Sequence, residues 1–239
     1  MGSLLAKKIN KFEKDGFTIL KSVFSDESLS KVSKKIDTYI SKNQPDEKKS
    51  FYAIRHLFKE IPELIELILT PTFKNIIEVY AGKDYFISKA IYFSKPLDQN
   101  WFVSYHQDLS INVKNYTESK EYKHWIERSN SYSVRPYLEI LQKTITLRIH
   151  IDTCNESSGS LKVLSGSHLS GVKKSESIHK EQFEEKFCNA NTGDVLLMKP
   201  LLFHASNKTT IPNRRRIIHI ELCNKELKDS LEWFEKISF

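Results

Sequence analysis

From Tyr85 onward the chain is cut into short segments, 85–94, 101–108, 144–152, 161–164, 194–198 and 214–222, each rich in β-branched and aromatic residues. Turn signals at 155–159, 165–168 and 192–194 separate them. No regular helices of the kind that join parallel strands lie between them. This pattern excludes a doubly wound parallel sheet and predicts a β-sandwich or barrel. One long excursion, 112–143, interrupts the series; it is polar and aromatic around Trp125, and a short helical pattern follows Arg135 and Pro136. An excursion of that length between strands is expected to be a lid or a binding loop.

The first third reads as helix. Ser25 is placed as an N-cap, with Asp26 and Glu27 in the first turn where acids favour the helix dipole. Leu29, Val32, Ile36, Tyr39 and Ile40 then follow at helical spacing. Pro62 and Pro71 suit first helical positions, and Gly82 suits a stop. Between the early helices, 17–20 reads as a short strand. With 239 residues and no repeat or linker, one domain over 1–239 is expected, with a mainly helical part at 1–84 and a β core at 85–222.

Several function classes are excluded at this stage. No apolar run approaches the ~20 residues of a membrane span. Residues 1–12 lack the apolar stretch of a secretory signal. Cys154, Cys188 and Cys223 match neither a disulfide framework nor a zinc spacing, which fits a reducing, cytoplasmic setting; Cys188 and Cys223 read as small core residues. The net charge of +7 comes mostly from lysines interleaved with 30 acids, so a solvated surface is expected and a nucleic-acid groove is not.

His106 and Asp108 stand two apart on one strand and therefore project from the same face. An imidazole and a carboxylate so placed supply two ligands to a divalent metal; a second histidine would complete a facial triad of the non-haem Fe(II) kind. The chain offers the same pattern again at His150 and Asp152. There Thr146, Arg148, His150 and Asp152 share a polar face, while Ile145, Leu147, Ile149 and Ile151 form an aliphatic one. Both pairs face a polar space on this reading, and spacing does not choose between them. On the last strand Arg215, Ile217, His219 and Glu221 share one face and Arg216, Ile218, Ile220 and Leu222 the apolar other. Arg215 then stands beside His204, where a guanidinium can grip a carboxylate through two bonds.

Taken in order, His106–Gln107–Asp108, the run 146–152, Gly159–Ser160–Leu161, Gly166–Ser167–His168, Gly193–Asp194–Val195, His204–Ala205–Ser206 and the run 215–221 resemble the phytanoyl-CoA dioxygenase family, in particular its bacterial branch. Asn100 and Trp101 also fit that branch. Ser165 departs from it, where proline is common. The resemblance implies a double-stranded β-helix (jelly-roll) core with N-terminal helices packed on one sheet. It implies iron ligation by His106, Asp108 and His204. It further implies 2-oxoglutarate binding by Arg215, with Ser206 assisting and Gln107 lining the same pocket. The implied activity is an Fe(II)- and 2-oxoglutarate-dependent dioxygenase that uses O2 to hydroxylate an unactivated C–H of a small molecule, releasing succinate and CO2. Arg148, His150, Trp125 and Arg135 are the candidate substrate contacts. The alternatives are an inactive jelly-roll that binds a metabolite, and a cupin-like metal isomerase or hydrolase.

Overall fold

A computed structural model describes residues 2–43, 53–95, 102–210 and 215–239. Asn100 and Trp101, singled out above, lie outside the described residues, as does Arg214 at the start of the last segment. The strands are β1 (Phe17–Leu20), β2 (Ala53–Arg55), β3 (Phe86–Lys95), β4 (Val103–His106), β5 (Ile111–Val113), β6 (Lys123–Glu127), β7 (Tyr132–Arg135), β8 (Ile145–His150), β9 (Leu161–Leu164), β10 (Glu185–Phe187), β11 (Val195–Met198), β12 (His204–Ser206) and β13 (Arg215–Cys223). The helices are α1 (Gly2–Asp15), α2 (Asp26–Asn43), α3 (Leu57–Glu60), α4 (Leu64–Ile68), α5 (Pro71–Tyr80) and α6 (Leu138–Gln142).

Two antiparallel sheets form the jelly roll. The larger has the order β1-β11-β8-β13-β3-β2 and the smaller β10-β9-β12-β4. Period-two alternation decides what each face of the larger sheet meets. Ile145, Leu147, Ile149 and Ile151 from the β8 run, with Ile218, Ile220 and Leu222 of β13, pack with Phe12, Leu29, Val32, Ile36, Phe73 and Ile77 of the helices. A Leu or Ile fully withdrawn from water contributes about 1.5–3 kcal/mol, so this helix-on-sheet layer fixes which face of β8 and β13 is left for the interior. That face carries Arg148, His150, Arg215, His219 and Glu221. Local signals set the helices as read. Ser28 N–H donates to Ser25 Oγ (3.2 Å) at the start of α2, and Phe73 N–H donates to the Thr70 hydroxyl ahead of Pro71.

The excursion between β4 and β8 is a third sheet, β5-β7-β6, with α6 after it. Phe86, Ile111, Val113, Tyr122, Val134, Ile140, Leu231 and Trp233 make its own apolar cluster. The C-terminal segment pins it. Phe234 N–H donates to Asn112 O and Lys114 N–H to Glu232 O, both at 3.0 Å, and Ile237 bridges to Ile87 on β3.

Candidate metal centre

β4 and β12 lie side by side in the smaller sheet, and their register puts His106 opposite His204. The ring centroids are 4.2 Å apart. Asp108, two residues past the end of β4, is held by its N–H donating to Pro200 O at 2.9 Å. Its Oδ1 is 3.9 Å from His106 Nε2 and its Oδ2 3.6 Å from His204 Nε2. One donor atom from each of the three residues falls within 4.8 Å of the other two.

Both imidazoles have their tautomer decided by a carbonyl. His106 Nδ1 lies 2.9 Å from Ser104 O, and His204 Nδ1 2.9 Å from Leu202 O. A carbonyl oxygen only accepts, so each Nδ1 carries the proton and each Nε2 keeps its lone pair turned toward Asp108. Burial, together with the charges of His106 and Arg148, lowers the His204 pKa to about 4, outweighing the opposing pull of Asp108. A neutral imidazole is the ligand form. Burial raises the Asp108 pKa, but the nearby His204, His219, His106 and Lys89 outweigh it and bring the group down to about 2. Asp108 Oδ2 is buried without a hydrogen-bond partner. An ionised oxygen withdrawn from water with nothing to satisfy it is costly, and a divalent cation among these donors removes that cost. The donor set fits such an ion.

Beside the triad lies a cavity of about 250 Å³, lined by Phe93, Lys95, Arg148, Ser206, Arg215, Ile217 and His219 among others. The Arg215 guanidinium donates to the Gly159 carbonyl. Gly159 has φ +72°, and a Cβ there would sit 2.7 Å from Asn207 O, so only glycine fits so close to the chain leaving β12. Arg148 N–H donates to His219 Nδ1 at 3.4 Å. His219 Nε2 lies 3.1 Å from Glu221 Oε1, whose other neighbour is Lys89 Nζ at 2.9 Å. Burial and the charge of Arg215 draw the Lys95 pKa down to about 8.

The structure thus brings together His106, Asp108, His204, Ser206, Arg215 and Arg148. It turns Gln107 away from the cavity. The Gln107 amide donates to Gly171 O (2.8 Å) and Leu201 O (2.6 Å) and accepts from Lys173 N–H (3.0 Å), so it braces loops on the outer side of the sheet. Alternation demands this, since Gln107 lies between two residues that face inward. His150 is buried and outside the residues lining the cavity. Trp125 stacks on Tyr116 at 4.8 Å within the third sheet, and Arg135 borders a surface hollow with Lys123 and His124; neither lines the cavity. Lys95 and Lys89 were not anticipated. The signal was available in register: β3 pairs Lys95 with Arg215, Phe93 with Ile217 and Lys89 with Glu221, so the inward face of β13 dictates that of β3.

Among solved structures the chain is similar to EvdMO1, with 19% identity and a TM-score of 0.69 over 93% of this chain and 50% of that one, so it spans about half of EvdMO1. It is similar to the non-haem α-ketoglutarate-dependent carbocyclase SnoK from nogalamycin biosynthesis, with 13% identity and a TM-score of 0.67 over 91% of this chain and 83% of that one. A third is EctD from S. alaskensis with 2-oxoglutarate and 5-hydroxyectoine, with 15% identity and a TM-score of 0.69 over 91% of this chain and 75% of that one. At these identities the likeness is one of fold. No curated protein matches the chain. Residues 12–217 match the family described as phytanoyl-CoA dioxygenase (PhyH). On a match of that extent the chain belongs to the phytanoyl-CoA dioxygenase family.

Proposed function

We propose that this protein is a non-haem Fe(II)- and 2-oxoglutarate-dependent dioxygenase that hydroxylates a C–H bond of a small molecule in the cytoplasm. The observation that carries the reading is the Nε2 lone pairs of His106 and His204 converging on an unpartnered Asp108 oxygen, one wall away from Arg215. His106, Asp108 and His204 would hold the metal. When bound, Fe(II) with 2-oxoglutarate supplies O2-driven oxidation of an unactivated C–H, the keto acid leaving as succinate and CO2.

The chain's own part is positioning and charge. Backbone carbonyls keep the protons on both Nδ1 atoms. Arg215, steadied by Gly159, meets the carboxylate of 2-oxoglutarate remote from its keto group, and the Ser206 hydroxyl assists it. Phe93, Val103, Leu161 and Ile217 form an apolar wall that limits water at the site. Asp108 fills a ligand position that a halide would otherwise take, which favours transfer of oxygen. Among the described residues no helix is long and apolar enough to cross a membrane.

The test is succinate release from 2-oxoglutarate with added Fe(II), alongside the visible charge-transfer band of the anaerobic complex. We expect both in the unaltered chain and neither with Asp108→Ala. A band without succinate under any substrate panel would favour a metabolite-binding protein. Zinc-dependent turnover without either signal would favour a metal isomerase or hydrolase.

A further inference from the structure

Two cations withdrawn from water on these sheets are met by carboxylates: Lys89 meets Glu221 at 2.9 Å and Arg216 meets Asp152 at 2.7 Å. Arg148 is met differently. Among the described residues no carboxylate hydrogen-bonds to it, Asp108 acting on it only through its charge, and its hydrogen-bond partner is the ring of His219 at 3.4 Å. The Glu221 carboxylate accepts from His219 Nε2–H at 3.1 Å, so Nδ1 is a lone-pair acceptor and takes one of the five N–H donors of Arg148. The rest of the guanidinium lines the metal cavity. Burial and Arg215 bring its pKa down to about 10, so it is a cation at neutral pH. A guanidinium does not shed its proton to escape such a site, and its half-buried face toward the cavity is open to an anion from solution.

The cosubstrate does not supply that anion. A 2-oxo diacid carries two negative charges. Its chelating end answers the excess charge of a divalent ion over Asp108, and its far end answers Arg215. Of the two other cations that line the cavity, Lys95 stands beside Arg215 and Arg148 is left over. Its planar fork suits a carboxylate, and it lines a cavity of about 250 Å³ beside the triad.

We propose that Arg148 binds the carboxylate of the primary substrate, which makes that substrate an organic acid anchored beside the metal. This rests on the oxygenase reading above. The test uses acetate as probe and acetamide as its uncharged match, at constant ionic strength, on protein loaded with Zn(II) and 2-oxoglutarate. Acetate is expected to raise the melting temperature by a few degrees and acetamide to leave it unchanged. Arg148→Gln is expected to abolish the acetate shift while the dissociation constant of 2-oxoglutarate moves less than about threefold. Equal responses to acetate and acetamide in the unaltered chain would overturn the proposal, whether or not the variant folds. A loss of 2-oxoglutarate affinity of tenfold or more in Arg148→Gln, or in Arg148→Lys, would overturn it too, by assigning the guanidinium to the cosubstrate. An Arg148-dependent acetate shift in a chain with no affinity for 2-oxoglutarate would sink the oxygenase reading and leave the anion site standing.

Discussion

The pairs His106/Asp108 and His150/Asp152 have the same spacing on strands of the same jelly roll, yet their side chains meet different surroundings. After β4 ends at His106, Asp108 returns to the inward face and is locked there by Pro200 O. After β8 ends at His150 the chain bends, and Asp152 swings out to accept three bonds from Arg216, from its backbone N–H and Nε at 2.9 Å and its Nη2 at 2.7 Å. His150 stays inside with its Nδ1 unpartnered. The first pair also has a strand beside it that presents His204 in register. A His-x-Asp repeat is therefore only half a metal site. The backbone after the second residue and the neighbouring strand supply the other half. β13 divides its arginines accordingly, Arg215 to the metal cavity and Arg216 to Asp152.

The comparison breaks most plainly on metal affinity. Loss of an outer partner of a metal ligand typically costs 10–100-fold, so Asp108→Ala, which removes a ligand, is expected to weaken Co(II) binding by at least ~100-fold. His150→Gln is expected to leave it within about threefold. Titration of the Co(II) absorption bands measures both, and equal losses would erase the distinction. The arginines come next. A charge-assisted, two-pronged bond is worth roughly 1.5–3 kcal/mol, so Arg215→Met is expected to raise the dissociation constant of 2-oxoglutarate on the order of 50-fold. Arg216→Met is expected to change it less than about threefold. The reverse ranking would mean that the faces of β13 are exchanged.

Much of this was legible beforehand because alternation is a local property. The two faces of β8 and β13, and hence Arg148 and Arg215, follow from the spacing of their aliphatic residues. The short strands were harder. β12 has three residues, all buried, so no alternation marks it, and only its partners β4 and β9 define it. The excursion at 112–143 reads as polar because β6 exposes most of its residues, four of five in the sequence Lys-His-Trp-Ile-Glu. Its apolar cluster is completed by Leu231 and Trp233 from about a hundred residues away, which no window on the excursion contains. The same holds for His56, which is set 3.0 Å from the buried Glu235 of the C-terminal segment. Gln107 is the opposite case. Alternation alone places it outside the cavity, and the resemblance placed it inside.

His150 also differs from the metal pair in what protonation does to it. Burial, with Arg148 and Arg215 adding like charge, brings its pKa to about 4, below the ordinary 6.5. The unfolded chain therefore takes up a proton first as pH falls. The stability associated with a neutral His150 is complete above about pH 7 and is lost as pH drops toward 4, where the folded form also titrates. At about 1.4 kcal/mol per pH unit inside that window, the loss between pH 7 and pH 5 is about 2 kcal/mol. Urea unfolding of metal-free protein at the two pH values, set against the same measurement on His150→Leu, separates this share from that of His204, which burial depresses likewise. His150→Leu is expected to lose correspondingly less over the same interval; an unchanged difference would mean that this ring is not protonated on unfolding.

The smallest effect belongs to the other member of that pair. Asp152 and Arg216 are each slightly open to water, at 19% and 17% side-chain exposure. Breaking a fully buried pair costs about 3–5 kcal/mol because a charge is stranded, whereas exposed pairs are worth about 0–1 kcal/mol. Partial access to solvent puts Asp152→Asn between the two, at about 1–2 kcal/mol. The amide also keeps an oxygen for the Arg216 backbone N–H. The loss is expected to shrink in high salt, which screens the charge but leaves packing alone. Co(II) and 2-oxoglutarate affinities should stay within about twofold of the unaltered chain. A variant that kept its stability but lost Co(II) would show the second His-x-Asp to be a metal site after all, and the bend after His150 to be no barrier to it.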